Sequence, residues 1–244
     1  MNDACLYITG AGVSAASGIP TFRGRDGYWT VGSRNYTPQE MATRRMYQRD
    51  PVQFLSWYYH RFSIYRNHGP NDVHKWLTDK NLITQNIDGL DGKAGNKNYI
   101  AIHGRLDQMT LFHTQGEPAE VLTTPWDDVD SENLEHSLLE IFQIDPDAKL
   151  PEIDVSYKPF VLLFDEYYTD LYRISVAQQR MLDAERIIFI GTSFSVNITQ
   201  MALEIAFAGS KPIEIVDPEP VRLDYPDVIY HKMTAEAYIE QMGN

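Results

Sequence analysis

Ile8-Thr9-Gly10-Ala11-Gly12-Val13-Ser14-Ala15-Ala16-Ser17-Gly18-Ile19-Pro20-Thr21-Phe22-Arg23-Gly24 is the stretch from which the fold of this chain is read. Cys5 to Thr9, leading into it, is an apolar run too short for a helix and of the right length for a buried parallel strand. The run breaks at two glycines and resumes with small residues, the pattern of a strand turning into a helix N-terminus. Glycines there let the backbone close on a pyrophosphate, and free N–H groups at the helix start favour the anion. The spacing is Gly-x-Gly-x-x-Ser rather than the full dinucleotide fingerprint, so taken alone it fits a plain tight turn equally well.

Downstream, the apolar pattern alternates between short runs and helical stripes. Helices are expected from Thr37-Pro38, after Asp50-Pro51 through Phe54, Leu55, Tyr58, Phe62 and Tyr65, and from Pro70-Asn71. Strands are expected at Leu82–Thr84 and Tyr99–Ile102, each followed by polar residues, where open α/β sheets bind ligands. Phe160–Phe164 reads as a buried strand, Thr169–Ala184 as a helix, Arg186–Ile190 as a strand, Ile198–Ala208 as a helix and Ile213–Val216 as a strand. Val228–His231 is a candidate edge strand and Ala235–Met242 a closing helix. This alternation predicts a Rossmann-like α/β fold, a parallel sheet with helices on both faces. The expected large domain comprises 1–36, 82–104 and 158–244, and the smaller inserted domain 37–81 and 105–157. Only a helix around Asn133–Phe142 is legible in the second insertion.

The 244 residues, 43% of them hydrophobic, suffice for one large domain with an insertion. No apolar run approaches the roughly 18 residues of a membrane span, and a first strand beginning almost at Met1 leaves no room for a signal peptide. With a single cysteine, Cys5, no internal disulfide forms, and a reducing, cytoplasmic setting is expected. A net charge of −13 argues against nucleic acid as a direct partner. The acidity is concentrated: Glu117 to Asp154 hold twelve Asp or Glu against one Lys149. Such a segment reads as a solvated acidic face, or more sharply as a surface for basic peptides.

Gly18-Ile19-Pro20-Thr21-Phe22-Arg23-Gly24 is needed for no turn, and it resembles the signature of the sirtuin family, the NAD-dependent protein deacylases. Thr84-Gln85-Asn86-Ile87-Asp88-Gly89-Leu90 and Ile102-His103-Gly104 stand in the family's order and approximate spacing. The resemblance implies NAD as cofactor, acylated lysine in proteins or peptides as substrate, and nicotinamide, free lysine and O-acyl-ADP-ribose as products. By that resemblance Gly10, Ala11, Gly12 and Ser14 hold the diphosphate, and Phe22 and Arg23 lie on a loop that closes over the cofactor. Gln85 faces the ribose, and Ile87 sits between Asn86 and Asp88, whose amide and carboxylate suit the donor and acceptor of the nicotinamide carboxamide. His103 is the general base, its imidazole titrating near working pH. Gly191, Thr192 and Ser193 resemble the block beside the adenosine, Asp217 stands where an Asn contacts the adenine ribose, and Ala235 matches a small position near the adenine.

Val161, Phe164, Asp165 and Glu166 fall in the strand and loop that clamp substrate peptide in the family, with Asp165 in a place normally held by glycine. Tyr58 and Arg61, one helical turn apart, match a Tyr-x-x-Arg pair that receives malonyl- or succinyl-lysine in one sirtuin class, a role for which Arg's donor fork is suited. The resemblance fails in one place. The family's two Cys pairs for structural zinc are missing, and His113 and His136 are the only soft ligands between Arg105 and Tyr157, too few for a tetrahedral site. No metal is therefore expected, and the acidic segment must hold its shape by packing through Trp126, Leu134, Leu138, Leu139 and Phe142. Deacylation is the first functional expectation. The rivals are NAD glycohydrolase or mono-ADP-ribosyltransferase activity in the same pocket, and a non-catalytic sensor of NAD or ADP-ribose.

Overall fold

The computed structural model describes residues 4–20 and 37–243. The chain divides into two compact units, described in turn. The first combines residues up to Thr21, His68–Ile102 and Arg173–Asn244, and the second combines Phe22–Asn67 with His103–Tyr172. The expected helical insertion ends at 81, whereas the first unit already resumes at His68. The intervening helix carries Val73 and Leu77 into the hydrophobic cluster of the sheet.

In the first unit the strands are β1 (Cys5–Thr9), β2 (Asn81–Thr84), β3 (Ile100–Ala101), β7 (Arg186–Ile190), β8 (Ile213–Val216) and β9 (Val228–His231). They form one six-stranded sheet in the order β3-β2-β1-β7-β8-β9, every pair parallel. This is the doubly wound order whose direction of winding reverses beside the first strand, between β1 and β7, where such sheets open a ligand crevice. Tyr7, Leu82, Ile188 and Ile190 pack on one face with Val73 of α4 (Asp72–Trp76) and Ala235 and Tyr238 of α9 (Ala235–Met242). Strand alternation sends the equally buried Ile187 and Phe189 to the other face. There α7 (Ile174–Asp183) packs on α8 (Asn197–Ala208), and α8 on β7. Helices thus cover both faces, as the sequence predicts. Asn71 caps α4 with its side chain, accepting from the N–H groups of Val73 and His74. Helix α5 (Leu90–Ala94) follows β2 between two left-handed glycines, Gly89 and Gly95.

The element after β1 differs from expectation. Ala11–Ser17 is a seven-residue 3₁₀ helix, ended by Gly18 in the left-handed conformation. It is not the start of an α-helix: Val13 N–H bonds the carbonyl of Gly10 at 3.2 Å, three residues back, and Gly12 N–H bonds that of Gly191 at 2.9 Å. The Arg186–Ile190 and Ile213–Val216 strands begin and end where the sequence places them.

The second unit holds α1 (Pro38–Met41), α2 (Arg44–Arg49) and α3 (Pro51–Tyr65), capped in turn by Thr37, Thr43 and Asp50. It also contains a three-stranded antiparallel sheet, in the order β5-β4-β6, of β4 (Gly104–Leu111), β5 (Val121–Thr123) and β6 (Tyr157–Val161). The run expected as a strand at Phe160–Phe164 therefore starts and stops earlier, and it pairs in this small sheet rather than in the parallel one. The acidic segment packs by four of the five residues named from sequence, Leu134 being half-buried. Trp126, Leu138, Leu139 and Phe142 are buried, the last three carried or flanked by α6 (Leu134–Ile141). Trp126 stacks on Phe62 of α3 with ring centroids 5.3 Å apart, and its indole N–H donates to the carbonyl of Leu106 at 2.8 Å. Among the described residues, no helix is long and apolar enough to cross a membrane, and no group of three or more His, Cys, Asp or Glu could hold a metal ion.

A buried ion cluster ties this unit together. The Lys158 ammonium, fully buried on β6, lies 3.3 Å from the carboxylate of Glu166, which also meets Arg44 at 3.3 Å. Burial pulls the Lys158 amine below the usual lysine range, and Glu166 opposes that shift. Removing one member leaves charge without its partner in a dry site. Lys158→Met is expected to cost about 3 kcal/mol of unfolding free energy. Lys158→Met with Glu166→Gln should cost less than the two single changes added together. Urea unfolding of the three variants reads both outcomes, and strict additivity would show that the pair is not coupled.

Candidate functional site

Residues of the first unit gather at the carboxyl ends of β1, β2, β7 and β8. The backbone after β1 touches the backbone after β7: a Cβ on Gly12 would stand 2.5 Å from the Cα of Gly191, and one on Gly10 would stand 2.7 Å from its carbonyl oxygen. Gly191 itself has a φ of +61°, so both sides of the contact require glycine. Gln85 at the end of β2 donates through Nε2 to the Thr192 hydroxyl at 3.1 Å, linking residues two strands apart. Ser193 is bonded to Ser195, and Asp217 closes an Asx turn by accepting from Glu219 N–H at 2.8 Å. Ala11 and Ile87 are half-buried, and Ala235 is buried as the first residue of α9.

The densest polar network lies beside the 3₁₀ helix. Asn86, 5% exposed, donates through Nδ2 to the Gly10 carbonyl and to Ser14 Oγ, both at 3.1 Å. Ser14 in turn donates to Asp88 Oδ2 at 2.7 Å, and Asp88 Oδ1 accepts from Leu90 N–H at 2.9 Å. The Asn86 and Asp88 side chains expected to share one side of the strand end thus meet through one serine hydroxyl. The Asp88 bond to Leu90 N–H is also the local turn that starts α5.

Sequence reasoning missed two members of this network. His74 is fully buried on α4, with Nε2 3.5 Å from Ser14 Oγ and Nδ1 2.9 Å from Asn71 Oδ1. Burial lowers its pKa, while Asp88 and Glu236 pull it the other way. The helix that carries it is legible from Val73, Trp76 and Leu77, but nothing in the local pattern marks His74 as buried. Asp91, 1% exposed on α5, has an Oδ1 with no hydrogen-bond partner and accepts from the Thr84 hydroxyl. Thr84 Oγ1 itself takes the N–H of Asn86 at 3.2 Å and the hydroxyl of Thr9 at 2.9 Å.

In the second unit His103 is half-buried, and its Nε2 lies 2.9 Å from the Tyr168 hydroxyl. Its carbonyl accepts from Leu162 N–H at 3.0 Å. Gly104 follows with φ +79°, and a Cβ there would fall 2.0 Å from the Phe160 carbonyl oxygen, so only glycine lets the chain turn from His103 into β4 this close beside β6. Val161 is buried and Phe164 exposed. Asp165 and Glu166 have uses inside the unit. The Asp165 carboxylate accepts from the N–H groups of Arg44 at 2.6 Å and Arg45 at 3.0 Å, capping the start of α2, and Glu166 sits in the buried ion cluster. Tyr58 and Arg61 expose 2% and 5%. The Arg61 guanidinium lies over the Trp57 ring at 3.4 Å and donates to the Trp57 carbonyl at 3.2 Å. Phe22 and Arg23 lie outside the described residues.

Residues 10–198 match the profile of the Sir2 family. An "NAD-dependent protein deacylase" of Leptospira interrogans is 30% identical over 222 residues, 87% of this chain and 80% of that protein. A protein of the same name from Thermus thermophilus is 30% identical over 227 residues, 88% of this chain and 80% of its own. Among solved structures, a Sir2 homolog in complex with NAD superposes with a TM-score of 0.73 at 29% identity, covering 99% of this chain and 90% of that one. A Sir2 homologue bound to ADP-ribose gives 0.74 at 28% identity, covering 99% and 92%.

The Asp91 carboxyl is pushed up to about 7, first by burial and then by the charge of Asp88. Unfolded, it would titrate near 4. Between those values the folded protein holds a proton that the unfolded chain has released, so the stability Asp91 contributes is complete below pH 4 and is lost as pH rises through 7. Asp91→Asn, which still accepts from Thr84, removes that loss. Its stability advantage over wild type should grow across this window and reach on the order of a few kcal/mol at pH 8. Urea unfolding at pH 5, 6, 7 and 8 measures it, and a difference that does not change with pH would overturn the assignment.

Proposed function

Because the chain belongs to the Sir2 family, the sirtuins, we propose that it removes acyl groups from protein lysine using NAD. The observation that carries the proposal is the closed set Asn86–Ser14–Asp88 at the end of β2. It holds an amide and a carboxylate side by side on a framework of buried partners, the preorganisation that selective recognition of a carboxamide requires. The donor set around it suits a dinucleotide. Gly10, Gly12 and Gly191 keep side chains away from the strand ends, Gln85, Thr192 and Ser193 offer hydroxyl and amide groups, and Asp217 offers a carboxylate to ribose hydroxyls. When bound, NAD supplies a ribosyl carbon that loses nicotinamide and accepts the acyl oxygen of the lysine.

The chain's own residues have distinct tasks. Asn86 and Asp88 orient the leaving nicotinamide, and Ser14 fixes the angle between them. His74, kept toward its neutral form by burial, supports Ser14 and Asn71 without bringing a second cation to the site. His103 takes a hydroxyl proton at a ring nitrogen, the general-base step. Phe164, exposed on the loop after β6, is the residue expected to contact a substrate peptide. The acyl preference is the finer question. Arg61 suits a malonyl or succinyl carboxylate chemically, but its guanidinium is stacked on Trp57 and 95% hidden, so a charged acyl group has to reach a buried site. One observation favours the glycohydrolase or ADP-ribosyltransferase alternative: Asp165 and Glu166, in the expected peptide loop, are both engaged within their own unit.

Mass spectrometry of the purified protein with NAD and acetyl-, malonyl- or succinyl-lysine peptides separates these readings. The expected outcome is peptide-dependent O-acyl-ADP-ribose that falls about 100-fold or more in His103→Ala, with the best peptide identifying the acyl class. Nicotinamide and ADP-ribose released without peptide, or ADP-ribose attached to protein, would replace deacylation with the alternative.

A further inference from the structure

The segment Leu162–Tyr168 is bonded to His103 at both of its ends. At its start, Leu162 N–H donates to the His103 carbonyl at 3.0 Å. At its finish, the Tyr168 hydroxyl is 2.9 Å from His103 Nε2, and the two rings lie nearly parallel, 22° apart with centroids at 5.9 Å. Between those ends nearly every residue is pinned. Phe164 N–H donates to the Ala42 carbonyl at 2.9 Å, Asp165 caps α2, and Glu166 accepts from Leu163 N–H at 3.1 Å within the Lys158–Arg44 cluster. Tyr167 is held twice by Gln115, backbone N–H to Oε1 at 3.1 Å and hydroxyl to carbonyl at 2.8 Å. Tyr168 is therefore presented to the imidazole from a loop with little freedom of its own.

We propose that Tyr168 is a positioning residue for His103, holding the imidazole in one orientation and one tautomer through Nε2. The proposal rests on His103 acting as the base of the Sir2 reaction. An imidazole has two chemically distinct nitrogens, and the partner of one decides which of them carries the proton. Whether the phenol donates to Nε2 or accepts from Nε2–H, a fixed partner at that nitrogen removes the tautomeric freedom that a solvated histidine has. Catalysis by a general base depends on orientation as much as on basicity, so loosening the ring lowers turnover without weakening ligand binding. Asp165 and Glu166, the acidic residues of this loop, are directed at α2 and at Lys158 and Arg44.

Tyr168→Phe retains the ring and deletes only the hydroxyl; Tyr168→Ala deletes both. The first measurement needs no cofactor or substrate: ¹⁵N shifts of the His103 ring in the ligand-free protein, assigned with His103→Gln. Wild type should show the separated shifts of a single tautomer, and Tyr168→Phe should move both nitrogens toward the averaged values of a mobile neutral histidine. The second is steady-state deacylation. Tyr168→Phe should lower kcat about 5- to 10-fold, the worth of one hydrogen bond, with KM for NAD and peptide within about two-fold, and Tyr168→Ala should lower kcat further. Unchanged ring shifts, or an unchanged kcat with altered KM, would overturn the positioning role while leaving the deacylase reading intact. Wild type that turns over no NAD with any acyl peptide would overturn the deacylase reading itself, and the proposed role with it.

Discussion

Two stretches of backbone touch where the chain leaves β1 and β7. Gly12 and Gly191 approach so closely that neither position tolerates a Cβ, and Gly12 N–H closes the contact on the Gly191 carbonyl. Much else in the first unit follows from that approach. It brings Gly10 within reach of Asn86 from the adjoining strand, and it turns Ala11–Ser17 into a tight 3₁₀ helix that delivers Ser14 between Asn86 and Asp88. A glycine-rich loop is usually explained by the ligand it admits. Here two of its glycines are already required by the protein's own backbone.

The second unit solves a different problem. Other sirtuins are expected to brace this region with zinc, and this chain lacks the cysteines to do so. Its bracing is spread over three kinds of contact instead. Trp126 is sandwiched among Phe62, Tyr59 and Phe142, the antiparallel sheet pairs β4 with β5 and β6, and Glu166 gathers Lys158 and Arg44 in a nearly dry cluster. Buried ion clusters add little net stability compared with apolar packing, but they punish misplacement heavily. Fixing the loop after β6 is a task for which that selectivity matters more than the net energy.

The parallel sheet was legible in the sequence because its strands are buried on both faces and read as unbroken apolar runs; Arg186–Ile190 and Ile213–Val216 are the clearest cases. The helices of the second unit were legible from their caps, Thr37, Asp50 and the prolines after them. Strand β4 was not, because Gly104–Leu111 places polar residues such as Arg105, Asp107 and Gln108 on a half-solvated face and its register is interrupted between Arg105 and Met109. Asn86, Asp88 and His103 stand out in the sequence through the order of their motifs rather than through their chemistry, since each alone resembles an ordinary turn residue. His74 and Asp91 were invisible for the converse reason. Both are buried polar side chains on short helices, and burial of a single helical position leaves no mark in the local pattern.

Those two residues explain how the first unit can bury so many polar groups around one carboxylate. Asp88 is surrounded by Ser14, the N–H of Leu90, His74 and Asp91. A charged His74 would neutralise it, and a charged Asp91 would repel it. Burial moves both neighbours toward their uncharged forms, His74 by lowering its pKa and Asp91 by raising its own to about 7. The outcome is that Asp88 and a neutral amide, Asn86, lie together with less competing charge close behind them. A carboxamide, which carries a strong dipole and no net charge, is bound best by such a pair, because hydrogen-bond direction rather than Coulomb attraction then sets its orientation. The Thr84 hydroxyl couples the two halves of this arrangement, taking the Asn86 N–H while donating to Asp91. Protonation of Asp91 is thereby linked to the backbone of Asn86.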